Sequence, residues 1–326
     1  MSEHKKTFGK YLATLAIVIV TGLLLDGGIN YFIDPYGIFG QNSLGIYTSQ
    51  DRHTKPPLYQ QGNFNAVLLG NSKPGMIPTE KVKGYNVFNA SFGGATPEEL
   101  YYFADHYIDS GDVAILMLDF WSFRETEPLK PDPFQPPGFT ETLDHIFSIQ
   151  SLDDSIKTIR RNLQGSDPTF ARNGAFIANR WFVQKSTPNP VMAEREFNKH
   201  AEWFKDFAVL PERMTYLAQL AEFLHGRGMV AIVVFTPMHE QSLELIEDAD
   251  IQPVVDQWKA DVKALFPYTI DLMDSKYSKP DKFFAADPTH FLPQTGVDML
   301  NHDVLPVLQP PMRRDELATE PELSVD

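Results

Sequence analysis

Residues 66–76 read "AVLLGNSKPGM": a short apolar run, Ala66 to Leu69, enters Gly70, Asn71, Ser72 and Lys73 and is broken at Pro74 and Gly75. A brief apolar run bounded by turn residues is the pattern of a strand buried on both faces. In open α/β sheets the ligand site lies beyond the carboxyl ends of such strands. Ser72 is therefore either a nucleophile or an ordinary turn residue. The flanking sequence repeats the pattern. "NAVLLG" (65–70), "YNVFNAS" (85–91) and "DVAILMLDF" (112–120) read as strands, with a helix over "TPEELYYFADHYID" (96–109) between the last two. Thr96 with Glu99 fits a capping box, and Pro97 suits a first helical turn. The alternation resumes with a helix over 211–228, the strand "MVAIVVFTP" (229–237), a helical region near 252–266, "YTIDLMD" (268–274) and a last helix "QTGVDMLNHDVLPVL" (294–308). Strands alternating with helices predict an α/β fold built as a three-layer, doubly wound parallel sheet.

The interruption at 122–208 opens with "EPLKPDPFQPPGF" (127–139) and holds two stretches with helical spacing, including "AEREFNKHAEWFKDF" (193–207). So long a connection carries structure of its own, and it reads as a helical insertion over the carboxyl edge of the sheet, placed to shape a substrate groove. The main domain is expected over 64–309. Residues 34–63, rich in Gly, Pro, Asn and Gln, read as an extended stalk, and the polar tail 310–326 as disordered.

At the amino terminus, Lys5, Lys6 and Lys10 precede the uncharged "YLATLAIVIVTGLLL" (11–25), and apolar character resumes with "INYFI" (29–33). About 20 apolar residues span a bilayer; the uninterrupted run is shorter, so a tilted anchor drawn from Phe8 to Ile33 competes with a signal peptide. No A-x-A-like cleavage site follows, which favours an uncleaved transmembrane signal anchor over 11–33. The lysines place residues 1–10 in the cytoplasm. The protein is then single-pass in the cytoplasmic (inner) membrane, with everything beyond residue 34 extracytoplasmic. A buried amphipathic helix fits poorly because the segment lacks a polar face.

With 43 acidic against 28 basic residues and a net charge of −15, the chain repels phosphate, which argues against nucleic acid or anionic lipid as a partner. The absence of cysteine excludes disulfides and thiolate chemistry.

A second stretch, "AADPTHFLPQTG" (285–296), complements the first. A serine hydroxyl becomes nucleophilic when an imidazole takes its proton, and the imidazole needs a carboxylate to fix its tautomer. Asp287 and His290, three residues apart, supply both, and the chain order Ser72, Asp287, His290 allows them to meet at one sheet edge. For Asp287 the plainer alternative is a turn before a proline.

These blocks, "GNS" (70–72) after one strand, "NASFGG" (89–94) after the next and "DPTH" (287–290) before the final helix, resemble the SGNH (GDSL-like) hydrolase superfamily. The resemblance implies a flavodoxin-like sheet, with Ser72, Asp287 and His290 catalytic and an oxyanion hole from the backbone N–H groups of Ser72 and of Gly93 or Gly94, most readily Gly93. It implies neither metal nor cofactor. The family's third block normally supplies an Asn; here the strand ends "LDFWSF" (118–123). A lost oxyanion donor costs roughly 10²- to 10³-fold in turnover, and Asn71 is the substitute nearest in sequence. "YFIDPYGIF" (31–39) after an anchor, then "LLGNS" and "DPTHF", is closest to membrane-anchored, extracytoplasmic members of bacterial surface-polymer pathways, such as the alginate O-acetylation proteins and the D-alanylation protein of teichoic acid synthesis. That implies an esterase or O-acyltransferase acting on acyl, foremost acetyl, esters of an exported or cell-surface polysaccharide, with a multi-spanning membrane acyltransferase as partner. The alternative is a degenerate member that binds polysaccharide or scaffolds an export complex.

Other residues divide between roles. Trp121 and His239 are candidates for the substrate groove, against a core aromatic and a helix-start histidine. Phe123, Trp181, Phe182 and Trp203 are either sugar-stacking or core. Arg52 and Lys55 are either polymer contacts or ordinary solvated charge. His53, His106, His225 and His302 have no company at metal-ligand spacing.

Overall fold

In a computed structural model, residues 2–40, 42–136 and 138–308 of the chain are described; the tail 310–326, expected to be disordered, lies outside them. Five strands form a parallel sheet: β1 (Ala66–Gly70), β2 (Val87–Ser91), β3 (Val113–Leu118), β4 (Val230–Phe235) and β5 (Tyr268–Asp271), in the spatial order β2-β1-β3-β4-β5. Their near-continuous apolar sequences follow from burial on both faces. Val67, Leu69, Ala114, Leu116, Val233 and Phe235 enter one core with Phe103 of α3 (Pro97–Tyr107), Leu220 of α8 (Pro211–Gly226) and Trp258 of α10 (Gln252–Leu265). Their strand neighbours Ala66, Leu68, Val113, Ile115, Ile232 and Val234 enter the other, with Val297 and Met299 of α11 (Pro293–Met299). Thr96 and Glu99 form the expected capping box on α3. The last helix is less regular than expected: after α11 the chain passes through a π turn (Leu300–Val304) and a 3-10 turn (Leu305–Leu308), in which Pro306 has no N–H to donate.

Register places the site. Gly70 lies opposite both Ser91 and Met117, so β1, β2 and β3 leave the sheet at one level. The direction of strand addition reverses between β1 and β3, where open α/β sheets bind ligands. A small antiparallel pair, β6 (Phe283–Phe284) and β7 (Asp287–Phe291), carries "DPTHF".

Three expectations need correction. Residues 34–63 are not an extended stalk: they contain α2 (Asp51–Gln61), whose Thr54, Lys55, Pro56 and Leu58 are buried. Pro56 and Pro57 sit inside that helix and remove two backbone donors; packing on the domain holds it despite them. The insertion carries four helices rather than two, α4 (Phe139–Phe147), α5 (Ile149–Leu163), α6 (Asn179–Ser186) and α7 (Pro190–Phe204). Of these, α7 packs on β7 and on the helix after β4, and α6 reaches β7 through Lys185 and Asp287, whereas α4 and α5 pack on the end of the amino-terminal helix α1 (Ser2–Ile33). "DPTHF", whose Asp-Pro start reads as a turn, is a strand.

The amino-terminal helix α1 (Ser2–Ile33) includes a stretch, Thr7–Ile33, long and apolar enough to cross a membrane, and its most apolar window is 6% buried. A signal sequence meets the same description. The remaining helix, α9 (Glu240–Asp248), follows β4.

Candidate active site

Ser72 sits on the turn that leaves β1. The turn is tight enough to demand glycine before it: a Cβ on Gly70 would lie 2.5 Å from Pro74 Cγ and 2.8 Å from the Met117 carbonyl oxygen. Ser72 Oγ is 2.9 Å from His290 Nε2, and His290 Nδ1 is 3.1 Å from Asp287 Oδ1. The structure therefore brings Ser72, His290 and Asp287, drawn from β1 and β7, into one hydrogen-bonded chain. Residues three apart on a strand normally face opposite ways. Here the β6–β7 register is irregular and Thr289 N–H donates back to Asp287 Oδ1 (3.2 Å), which turns both side chains to one side.

The insertion fixes this pair from outside. Lys185 Nζ on α6 lies 2.7 Å from Asp287 Oδ2, and the Ala286 N–H donates to the Lys185 carbonyl. Trp181, one helical turn earlier, meets the His290 ring edge to face at 5.7 Å. Burial by itself would raise the Asp287 carboxyl; the hydrogen bonds and charges of His290 and Lys185 outweigh it and hold the group well below the usual carboxylate range. Asp287 is therefore ionised throughout neutral pH.

Under Thr289 lies His200 of α7, 1% exposed, with Nε2 2.9 Å from Thr289 Oγ1 and Nδ1 2.8 Å from Ser242 Oγ. Two hydroxyls that can each donate or accept satisfy a neutral imidazole. Burial, with the neighbouring Lys73 charge, pushes the His200 pKa down to about 3. The unfolded chain takes up this proton near pH 6.5 and the folded chain does not, so stability from His200 is complete above pH 6.5 and is lost as pH falls toward 3. Each pH unit in that window costs about 1.4 kcal/mol. Urea midpoints measured from pH 7 to 4 should fall steadily, and His200→Gln should flatten the slope by one proton's worth; an unchanged slope would show that His200 is not the group responsible.

The expected oxyanion donors are differently placed. The Gly93 N–H already donates to Asp51 Oδ2 at 2.7 Å, and the Gly93 carbonyl accepts from Arg52. The Asn71 amide donates to Asp119 Oδ2 (2.6 Å) and Ser122 Oγ (3.3 Å). Neither group, as it stands, is free to serve as a donor to a ligand. Gly94, with a left-handed φ of 61° that suits glycine, lines the same cleft as Ser72; among the described residues the N–H groups of Ser72 and Gly94 make no hydrogen bond.

The glycine turn is clamped by charge. Arg52 Nε and Lys130 Nζ both bind Glu99, at 2.6 and 2.7 Å, and Lys130 also reaches the Gly94 carbonyl. Lys55 lies beneath, bonded to the Ser91 carbonyl, and burial pushes its ammonium down to about 7. Arg52 and Lys55 are thus structural partners of the site rather than solvated charge.

Behind Ser72 lies a second buried network, at the end of β3. Lys73 Nζ binds Asp119 Oδ1 at 2.6 Å with both side chains 1% exposed, and Thr236 Oγ1 bonds the same carboxylate. The Lys73 ammonium stands 4.0 Å over the Trp121 ring. Burial lowers the Lys73 pKa, and Asp119 works against that shift.

A cleft of about 570 Å³ opens over Ser72 and His290, lined also by Trp121, Trp203, Glu196 and Lys199. Trp121 is only 7% exposed, with the Lys73 ammonium over its ring and the His200 ring stacked on it, which leaves little of it to take a sugar. Trp203 carries Arg124 at 4.9 Å over its ring, and Phe123 is in the core. His239 does not line the cleft: its Nδ1 accepts the Gln241 N–H at the start of α9, and burial lowers its pKa, which suits an acceptor.

Sequence reasoning missed Asp51, Lys73, Lys185 and His200. Lys73 had a signal, standing beside Ser72 with an Asp ending the neighbouring strand; Lys185 and His200 are brought in by the insertion and had none. No protein-family model matches the chain and no curated protein is significantly similar to it, so the site is read from its own geometry.

Proposed function

We propose that this chain is a membrane-anchored serine hydrolase or O-acyltransferase acting on acyl esters, foremost acetyl, of an extracytoplasmic polysaccharide. The observation that carries this reading is the hydrogen-bonded sequence Ser72 Oγ, His290 Nε2, His290 Nδ1, Asp287 Oδ1 at 2.9 and 3.1 Å. In the proposed reaction His290 takes the Ser72 proton as Oγ attacks the acyl carbonyl, and the N–H groups of Ser72 and Gly94 hold the oxyanion. The tetrahedral intermediate collapses, the leaving alcohol receives the proton from His290, and an acyl-Ser72 ester remains. Water or a sugar hydroxyl, deprotonated by His290, then attacks that ester; the second tetrahedral intermediate breaks its bond to Ser72 Oγ, which takes the proton back from His290, and the free acid or the acylated sugar leaves. Asp287, kept ionised by Lys185, stabilises the imidazolium at each step. A transferase of this kind takes its acyl group from a donor outside the cytoplasm, which is the role of a multi-spanning acyltransferase partner. The apolar reach of α1 and the lysines at its amino-terminal end support anchorage with the domain outside.

A fluorophosphonate probe applied to the full-length protein in detergent micelles should label the wild type at Ser72 and leave Ser72→Ala unlabelled. Folded wild type that takes no label would overturn the enzyme reading. A polysaccharide-binding or scaffold role is favoured by one observation, that Asp51 and Asp119 already occupy the Gly93 and Asn71 donors. Acetyl release with and without a polysaccharide acceptor separates hydrolysis from transfer: transfer requires acylated polymer.

A further inference from the structure

The helix α5 is built inside out. Its apolar residues Ile149, Leu152, Ile156, Ile159 and Leu163 recur at helical spacing and form one stripe. In water such a stripe turns inward. Here the buried residues are Ser151, Asp154, Ser155 and Thr158, while Ile149 is 85% and Leu163 82% exposed. The buried polar face has specific partners: Asp154 accepts from the Tyr36 hydroxyl at 2.8 Å, and Ser155 donates to Asn30 Oδ1 of α1 at 2.9 Å. Asn30 also donates to the Ile146 carbonyl at the end of α4. Hydrogen bonds therefore hold α5 with its apolar stripe outward.

Its position says what covers that stripe. The side chains of α1 are bare from Thr7 through Leu25, and burial begins only at Asp26, where α4 and α5 pack. The pair therefore sits where the apolar length of α1 ends. Beyond α1, most of the large exposed apolar side chains gather on this side, with Phe139 and Phe147 on α4 and Val183 on α6 joining the α5 stripe. Charge points the same way. In a chain with an acidic surplus, a cavity of about 720 Å³ between α5 and α6 is lined by Lys157, Arg160, Arg161 and Arg180 against the single carboxylate of Asp167. Lys157 is paired with Asp153 and Asp154, whereas Arg160 and Arg180 make no ion pair among the described residues and are the cations left for a ligand.

We propose that α4 and α5 form a second, interfacial membrane contact: the α5 stripe lies in the headgroup and acyl boundary of the bilayer that α1 enters, and the cations beside it bind acidic phospholipid headgroups. This rests on the anchored part of the reading above and is independent of its chemistry. It corrects the charge argument from composition, because repulsion of anionic lipid by the whole surface does not extend to this patch. It also holds the catalytic domain against the membrane instead of leaving it on a stalk.

The chain has no cysteine, so single-cysteine variants can each carry one fluorescent label. Full-length protein with Leu15→Cys, Ile149→Cys, Ile156→Cys, Leu163→Cys or Glu247→Cys is reconstituted in vesicles of phosphatidylcholine and phosphatidylglycerol with brominated acyl chains, folding being checked by thermal unfolding. Labels at 15, 149, 156 and 163 should be quenched by the lipid and that at 247 should not. Omitting phosphatidylglycerol should at least halve quenching on α5 and leave position 15 unchanged. Quenching at 15 with α5 labels open to aqueous iodide would overturn the contact and leave the anchor standing. Labels on α5 shielded from both quenchers would overturn it in favour of a protein partner. Failure at 15 would remove the anchor and the contact together, and α5 quenching insensitive to phosphatidylglycerol would overturn the headgroup assignment.

Discussion

Ser72→Ala and His290→Ala should each reduce turnover of an activated acetyl ester to near background, a loss of up to about 10⁶-fold, and the double variant should lose no more than either alone. Non-additivity follows from the geometry. In the proposed reaction His290 acts through its 2.9 Å contact with Ser72 Oγ, so removing either group removes the function of both. The rate left in the variants measures the oxyanion site alone. With the Gly93 N–H on Asp51 and the Asn71 amide on Asp119, only the Ser72 and Gly94 N–H groups remain for it, and the residue of catalysis should be small. Steady-state rates for the four proteins decide the matter: losses that multiply in the double variant would mean that the two side chains act separately.

What was legible in advance follows a physical division. β1 and β3 could be read because strands buried on both faces are uniformly apolar, and α3 because its capping box is local. The meeting of Ser72 with Asp287 and His290 was legible from chain order at one sheet edge, although the strand conformation of 287–291 was not, since Pro288 and Thr289 read as a turn. α2 was hidden by Pro56 and Pro57, whose cost in helical hydrogen bonds is offset only by tertiary packing. The occupation of Gly93 by Asp51 was invisible for the same reason, because it depends on where α2 docks. In α5 the periodicity was readable but its orientation was not: no local rule turns a serine and aspartate face inward, and the partners that do so, Tyr36 and Asn30, are more than a hundred residues away.

Asp287→Asn should lower turnover by about 10⁴-fold with Ser72 and His290 in place, and here the cause can be traced to Lys185. Asp287 offers one oxygen to each neighbour, Oδ1 to His290 at 3.1 Å and Oδ2 to Lys185 at 2.7 Å. An asparagine has one oxygen only. The Lys185 ammonium donates and cannot accept, and its charged 2.7 Å bond outweighs the 3.2 Å Thr289 N–H bond to the other position, so the amide oxygen turns to Lys185 and the NH₂ group turns to His290 Nδ1. Nδ1 must then accept, the ring proton moves to Nε2, and His290 loses the lone pair that takes the Ser72 proton. The defect is one of tautomer, and it should be reversible. Adding Lys185→Met frees the amide to rotate, its oxygen can return to Nδ1–H, and the double variant should turn over faster than Asp287→Asn alone. Lys185→Met by itself retains the carboxylate at His290 and should lose far less than Asp287→Asn. Burst-phase and steady-state rates for the three variants, with melting temperatures to exclude unfolding, test this. A double variant no faster than Asp287→Asn would show that Lys185 braces the fold without setting the imidazole's proton, and an Asp287→Asn enzyme close to wild type would remove the carboxylate from the mechanism.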